Sequence, residues 1–167
     1  MATSLEFIKS ASATSVSSLQ ITDCFNADYD VYKVVIDSDN SDNADLYTRV
    51  INDSGTVIST GSKYDFASLE LNAGSSFGNY RNAGSNQFEG IGFTSTTGNS
   101  TVAYFYNPHN SSSYTFALSQ SSSMYTTNMR GGKSIGVYTN ADTITGLQIS
   151  DNGTDFAYIN ISVYGVK

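Results

Sequence analysis

The stretch Ala157-Tyr158-Ile159-Asn160-Ile161-Ser162-Val163-Tyr164-Gly165-Val166 alternates residue by residue. Ile159, Ile161 and Val163 fall on one side; Tyr158, Asn160, Ser162 and Tyr164 fall on the other. Successive Cβ atoms of a strand point to opposite faces, so a period of two means a strand with one buried face. Asp30–Asp37 repeats the pattern, with Tyr32, Val34 and Ile36 opposite Val31, Lys33 and Val35.

Working outward from these two, β-branched and aromatic residues recur in short runs cut by Gly, Asn, Asp and Ser. Strands are predicted at Leu5–Ile8, Ser17–Thr22, Leu46–Ile51, Thr56–Ser59, Asp65–Leu71, Glu89–Thr94, Thr101–Tyr106, Tyr114–Leu118, Met124–Asn128, Ser134–Tyr138 and Ile144–Ile149. Asn52-Asp53-Ser54-Gly55 is a hairpin turn, since Gly accepts positive φ and Asn and Asp bond their own backbone. Asp39–Asn43 is a polar loop. Asn72–Gln87, with three Gly, four Asn and no apolar alternation, is a long loop. No segment holds helical apolar spacing over three turns, and no fixed repeat is present. The expectation is one domain spanning residues 1–167, an all-β antiparallel β-sandwich of jelly-roll type.

Composition narrows the function. The 167 residues include 27 Ser, 17 Thr and 15 Asn, and only 14% are charged. Average domains carry about 25% charge, so hydroxyls and amides fill this surface instead. A net charge of −7 lacks the basic footprint that phosphate binding needs, so no nucleic-acid partner is expected. No apolar run approaches the ~20 residues of a membrane helix, so no membrane insertion is expected. The opening residues lack the pattern of a signal peptide. The single cysteine, Cys24, cannot form an internal disulfide and reads as a small buried hydrophobe.

Catalytic signatures are sparse. His109 stands in the turn Asn107-Pro108-His109-Asn110 with no Ser or Asp partner visible in sequence. Only three Glu are present, and nothing marks the carboxylate pair of a glycosidase. No enzyme activity and no cofactor are expected. The one metal candidate is a calcium site from Asp37, Asp39, Asp42 and Asp45, which offer hard oxygen ligands. The calcium-loop template fails there: the sixth position is Asp42, not Gly, and the twelfth is Thr48, not Glu. Recognition is the stronger theme. Phe77, Tyr80 and Arg81 stand among Gly, Ser and Asn, the mixture that adaptable binding loops use. With His109 they are the candidate binding residues. Tyr104 with Tyr106, and Tyr158 with Tyr164, are candidate outward stripes.

Two stretches carry a resemblance. Ser4–Ile36 resembles the start of small virion proteins of tailed, largely marine, bacteriophages. Gly131-Gly132, Ile144-Thr145-Gly146-Leu147-Gln148-Ile149 and the closing Ile161-Ser162-Val163-Tyr164-Gly165-Val166-Lys167 are similar to the ends of phage tail-fibre-type and head-surface β-sandwich proteins. Together they cover about a third of the chain, and no site residue is carried over from them. The resemblance implies a structural protein made in the host cytoplasm and located in the virion, with other virion proteins as partners and a homo-oligomeric state. No coiled-coil or shaft repeat is present, so the expected place is the head surface, as a capsid decoration subunit, or a tail fibre with a part in host attachment. The competing expectation is a carbohydrate-binding module for host surface glycans or another receptor.

Overall fold

The computed structural model describes residues 4–40, 42–153 and 155–167, and none of these is helical. Twelve strands are formed: β1 (Leu5–Ala13), β2 (Ser18–Ile21), β3 (Val31–Asn40), β4 (Asp45–Asn52), β5 (Tyr64–Asn72), β6 (Gly78–Ser85), β7 (Phe88–Phe93), β8 (Asn99–Tyr106), β9 (Thr115–Tyr125), β10 (Asn128–Tyr138), β11 (Ile144–Asp151) and β12 (Phe156–Val166). They make a wide sheet, β1-β12-β3-β8-β9-β10-β5-β6, and a narrow one, β2-β11-β4-β7. Every pairing is antiparallel. The fold is therefore all-β and sandwich-like, as the alternation predicts.

The inner faces follow the two-residue period. Tyr32, Val34 and Ile36 of β3 and Ile159, Ile161 and Val163 of β12 are fully buried. Leu46 and Val50 of β4 and Leu147 and Ile149 of β11 face them from the narrow sheet. The turn at Asn52–Gly55 forms as expected: Gly55 has φ +76°, and its N–H donates to the Asn52 carbonyl at 3.0 Å.

The two sheets differ in width, and that shapes the molecule. β2, at one edge of the narrow sheet, packs on β1 and β12; β7, at the other edge, packs on β8, β9, β10 and β5. At about 4.8 Å per strand, four strands span ~14 Å, whereas β1 to β5 spans ~29 Å. The wide sheet must curve around the narrow one. The approach is close between β7 and β10. A Cβ added at Gly136 would lie 2.6 Å from Phe88 Cδ1, and one at Gly132 would lie 2.8 Å from Phe93 Cε2. Two phenylalanine rings thus lie on bare backbone.

Polar groups tie the sheets where the core thins. Tyr64 of β5 is fully buried; its hydroxyl donates to the Ile58 carbonyl at 2.7 Å and accepts from Val50 N–H at 3.1 Å. At the far end, the Asn40 side-chain amide of β3 donates to Asp151 Oδ2 of β11.

Three predicted elements differ from those observed. Asn72–Gln87 is not one long loop: Gly78–Ser85 is the edge strand β6, paired with β5 from Glu70↔Gly78 to Tyr64↔Ser85. Most of β6 is exposed on both faces, so it has no apolar period to read. Met124–Asn128 is not a strand of its own but the tip of the long β9–β10 hairpin, where Tyr125 pairs with Asn128. The hydroxyl run Ser119–Ser123 carries β9 to that tip without an apolar residue. Thr56–Ser59 makes a single bridge, Val57 to Ile51, instead of a strand.

Replacing Gly136 or Gly132 by Ala is expected to lower unfolding free energy by about 1–3 kcal/mol, because each methyl enters an occupied ring. Urea denaturation of the two variants measures this, and a neutral effect at both positions contradicts the ring-on-backbone packing.

Candidate functional site

The outward face of the wide sheet is built with the larger residues on the wrong side for a solvated surface. Inward positions of β9 are Thr115, Ala117, Ser119 and Ser123; those of β10 include Gly132, Ser134 and Gly136. Outward stand Phe116, Leu118 and Met124 from β9, Met129 and Ile135 from β10, and Leu69 and Leu71 from β5. Phe77 joins them across a hollow shared with Leu71 and Met129. These eight side chains are between 36% and 74% exposed. Register aligns them in rows. One row crosses the whole sheet: Arg81, Ala67, Ile135, Leu118, Tyr104, Lys33, Tyr164 and Phe7. Between β6 and β9 the face opens into a hollow of about 800 Å³, bordered by Asp65, Ala67, Arg81, Phe116, Ile135 and Val137. The outward row Leu69, Lys133 and Gln120 divides these side chains, with Phe116, Leu118 and Ile135 on one side of it and Leu71, Met124, Met129 and Phe77 on the other. Exposed apolar patches beyond a few hundred Å² mark contact surfaces.

A second feature lies on the opposite side of β6. Arg130 of β10 points inward and is almost fully buried. Its Nε donates to Glu70 Oε1 of β5 at 2.7 Å, and its Nη2 donates to Asp45 Oδ1 of β4 at 3.1 Å. The guanidinium carbon lies 3.9 Å from the centre of the Phe93 ring and 5.4 Å from that of Tyr125. Burial holds the Asp45 carboxyl above its ordinary range, against the pull of Arg130. Tyr80 donates to Glu70 Oε2 at 3.3 Å, and that carboxylate, with some burial, raises the phenol.

The residues singled out in sequence are distributed between these features. Phe77 and Arg81 belong to the outward face. Tyr80 pairs in register with inward-facing Ser68, so it stands on the other side of β6 from Arg81. His109 is far from all three, in the turn after β8, beside Asn26, Tyr29 and Asp30. It is half-buried, and its Nδ1 has no partner among the described residues. Asp37 and Asp39 lie on the outward side of β3 toward its end; Asp42 is exposed in the following turn; Asp45 is bound to Arg130. Among the described residues no three His, Cys, Asp or Glu side chains gather into a group able to hold a metal ion. Cys24 is fully buried, and burial pushes its thiol up to about 12. Tyr104, Tyr106 and Tyr164 are half-buried on the outward side of the wide sheet, and Tyr158 is exposed there.

Sequence reading missed the outward apolar face and Arg130. A signal was present in Tyr64–Leu71: Tyr64 and Phe66 fall on one face, while Ala67, Leu69 and Leu71 make the other face apolar as well. A strand apolar on both sides is one covered on both sides.

No family model matches the chain, and no curated protein matches it. Among solved structures it is similar to Ail, the attachment invasion locus protein of Yersinia pestis, in complex with the heparin analogue sucrose octasulfate. Identity is 10%, the match covers 70% of this chain and 98% of Ail, and the TM-score is 0.22. A second structure of Ail matches with 9% identity over 72% and 99% of the two chains, at a TM-score of 0.21. Overlaps this low establish no shared fold.

Replacing Arg130 by Gln leaves two carboxylates without their cation and is expected to cost about 3 kcal/mol near neutral pH. Removing the cation raises the Asp45 carboxyl further, so the folded variant holds that proton more tightly than the unfolded chain. The deficit is therefore expected to shrink as pH falls through the raised Asp45 titration. Urea titrations of both proteins across that range test the sign.

For Cys24, the unfolded thiol ionises near 9.0 and the folded one near about 12. The unfolded state alone loses the proton in this window, so stability is expected to fall as pH rises through it, by up to ~1.4 kcal/mol per pH unit. Ellman's reagent at mildly alkaline pH should label Cys24 only after unfolding.

Proposed function

We propose that this chain is a non-enzymatic structural protein of a bacteriophage virion, on the head surface or in a tail fibre, which packs against other virion proteins. The observation that carries this is the outward apolar face of β5, β9 and β10. Its eight large side chains are 36–74% exposed, and an interface of standard size needs about 800 Å² from each partner. A free subunit gains nothing by placing Gly, Ser and Ala inward and Phe, Leu, Ile and Met outward on the same strands. A subunit in an assembly buries both faces.

Further support comes from the two stretches that resemble phage virion proteins, and from a surface filled with hydroxyls and amides instead of charges. Both ends of the wide sheet, β1 and β6, are edge strands, which offer backbone groups to a neighbouring chain. Under this proposal the sandwich is an enlarged jelly roll, the class that viral capsid domains use. Its connections fit: both sheets are antiparallel, and most neighbours within them are distant in sequence.

Purified particles of the phage that encodes the chain provide the test. Mass spectrometry is expected to find the protein in them at a fixed ratio to the major capsid protein. An Ile135→Asp, Leu69→Asp variant should fold normally and fail to be incorporated. Absence of the wild-type chain from particles would overturn the proposal, as would normal incorporation of the double variant.

A further inference from the structure

The Arg130 cluster leaves hydrogen-bonding groups unused, and they converge on one cavity. Arg130 spends Nε and Nη2 on its two carboxylates, and its Nη1 has no partner among the described residues. Asp45 uses Oδ1 on Arg130, while its Oδ2 accepts nothing from any described residue. Asn43 Oδ1 is buried and equally without a partner. Of these, Asn43 Oδ1 is buried, whereas Arg130 Nη1 and Asp45 Oδ2 are open to solution and free to pair with a ligand. All three residues line a cavity of about 350 Å³ between the start of β4, the end of β5, β6 and the tip of the β9–β10 hairpin. That volume lies within the range of small-molecule sites, about 300–1,000 Å³.

The lining defines the ligand. An acceptor, Asp45 Oδ2, and a donor, Arg130 Nη1, on the lining match a ligand hydroxyl, which donates to the carboxylate and accepts from the guanidinium. Tyr80 and Tyr125 border the same space, and both are partly exposed. Their rings offer flat apolar area for the C–H face of a pyranose, and Asn152 adds an amide at the rim. Asp45 and Glu70 against Arg130 leave one net negative charge, on a chain that is itself at −7. That field disfavours a uronate or sulfated sugar.

We propose that this cavity binds a neutral pyranose residue. It lies on the opposite side of β6 from the apolar face, so an assembled subunit keeps it accessible, and the proposal stands apart from the virion reading.

The test is a ¹H–¹⁵N NMR titration of the full chain with methyl glycosides of glucose, galactose, mannose and N-acetylglucosamine, and with glucuronate. At least one neutral glycoside is expected to shift the amides of Ala44, Asp45, Tyr80, Tyr125 and Arg130, with glucuronate about tenfold weaker or more. Asp45→Asn is expected to weaken binding by about tenfold or more, through loss of an acceptor to a ligand hydroxyl. Tyr125→Ala, outside the ion-pair network, keeps the test valid if Asp45→Asn unfolds, and the same loss is expected of it. No shift at these amides with any of the four neutral sugars would overturn the proposal. So would tighter binding of glucuronate, or undiminished binding by Tyr125→Ala.

Discussion

Two phenylalanine rings lying on two glycines hold this structure in its shape. Phe88 and Phe93 of β7 meet the bare backbone of Gly136 and Gly132 on β10. A narrow sheet of four strands has to cover most of a wide sheet of eight, and β7 is the edge strand that does so for β8, β9, β10 and β5. Rings reaching across from β7 fill that half of the core together with Tyr64, Phe66 and Tyr138 of the wide sheet, and the glycines beneath leave room for them. Close packing in protein interiors admits neither a gap nor an extra methyl there.

That constraint reaches the outer surface. With Thr115, Ala117 and Ser119 of β9 and Gly132, Ser134 and Gly136 of β10 at the inward positions beneath β7, alternation sends Phe116, Leu118 and Ile135 outward. The feature proposed as an assembly face is therefore the other side of the packing that forms the core. The same region explains the buried arginine. Beyond Phe93 the inter-sheet space opens, and Arg130 closes it by stacking on that ring and joining β10 to β4 and β5 through Asp45 and Glu70. An aliphatic side chain fills space equally well but leaves those carboxylates uncompensated.

Some of this was legible in the residues. Ile159, Ile161 and Val163 are buried as their spacing requires, and so are Tyr32, Val34 and Ile36. Cys24 is buried as expected of a lone cysteine after an apolar run. β6 was not legible, because an edge strand needs only backbone pairing on one side and leaves no apolar signature. Nor was the full length of β9, whose Ser119–Ser123 stretch is held by its neighbours. Phe77, Tyr80 and Arg81 read as one recognition loop, yet a strand passes through them and sends Tyr80 and Arg81 to opposite faces.

By itself the sequence determined the class: antiparallel, all-β, with β3 and β12 as strands of one buried face and a hydroxyl-rich, weakly charged surface. Period-two alternation and turn chemistry are local, so a single chain displays them without reference to its partners. Tertiary structure decided which face of each strand is inside, where the sheets end, and which distant residues share a site. The face of β9 turns on rings supplied by β7, and the pocket at Arg130 draws on β4, β5, β6, β9 and β10 at once. Neighbours of that kind are set by strand order and register, which depend on the sum of all pairings and leave no mark in any one segment.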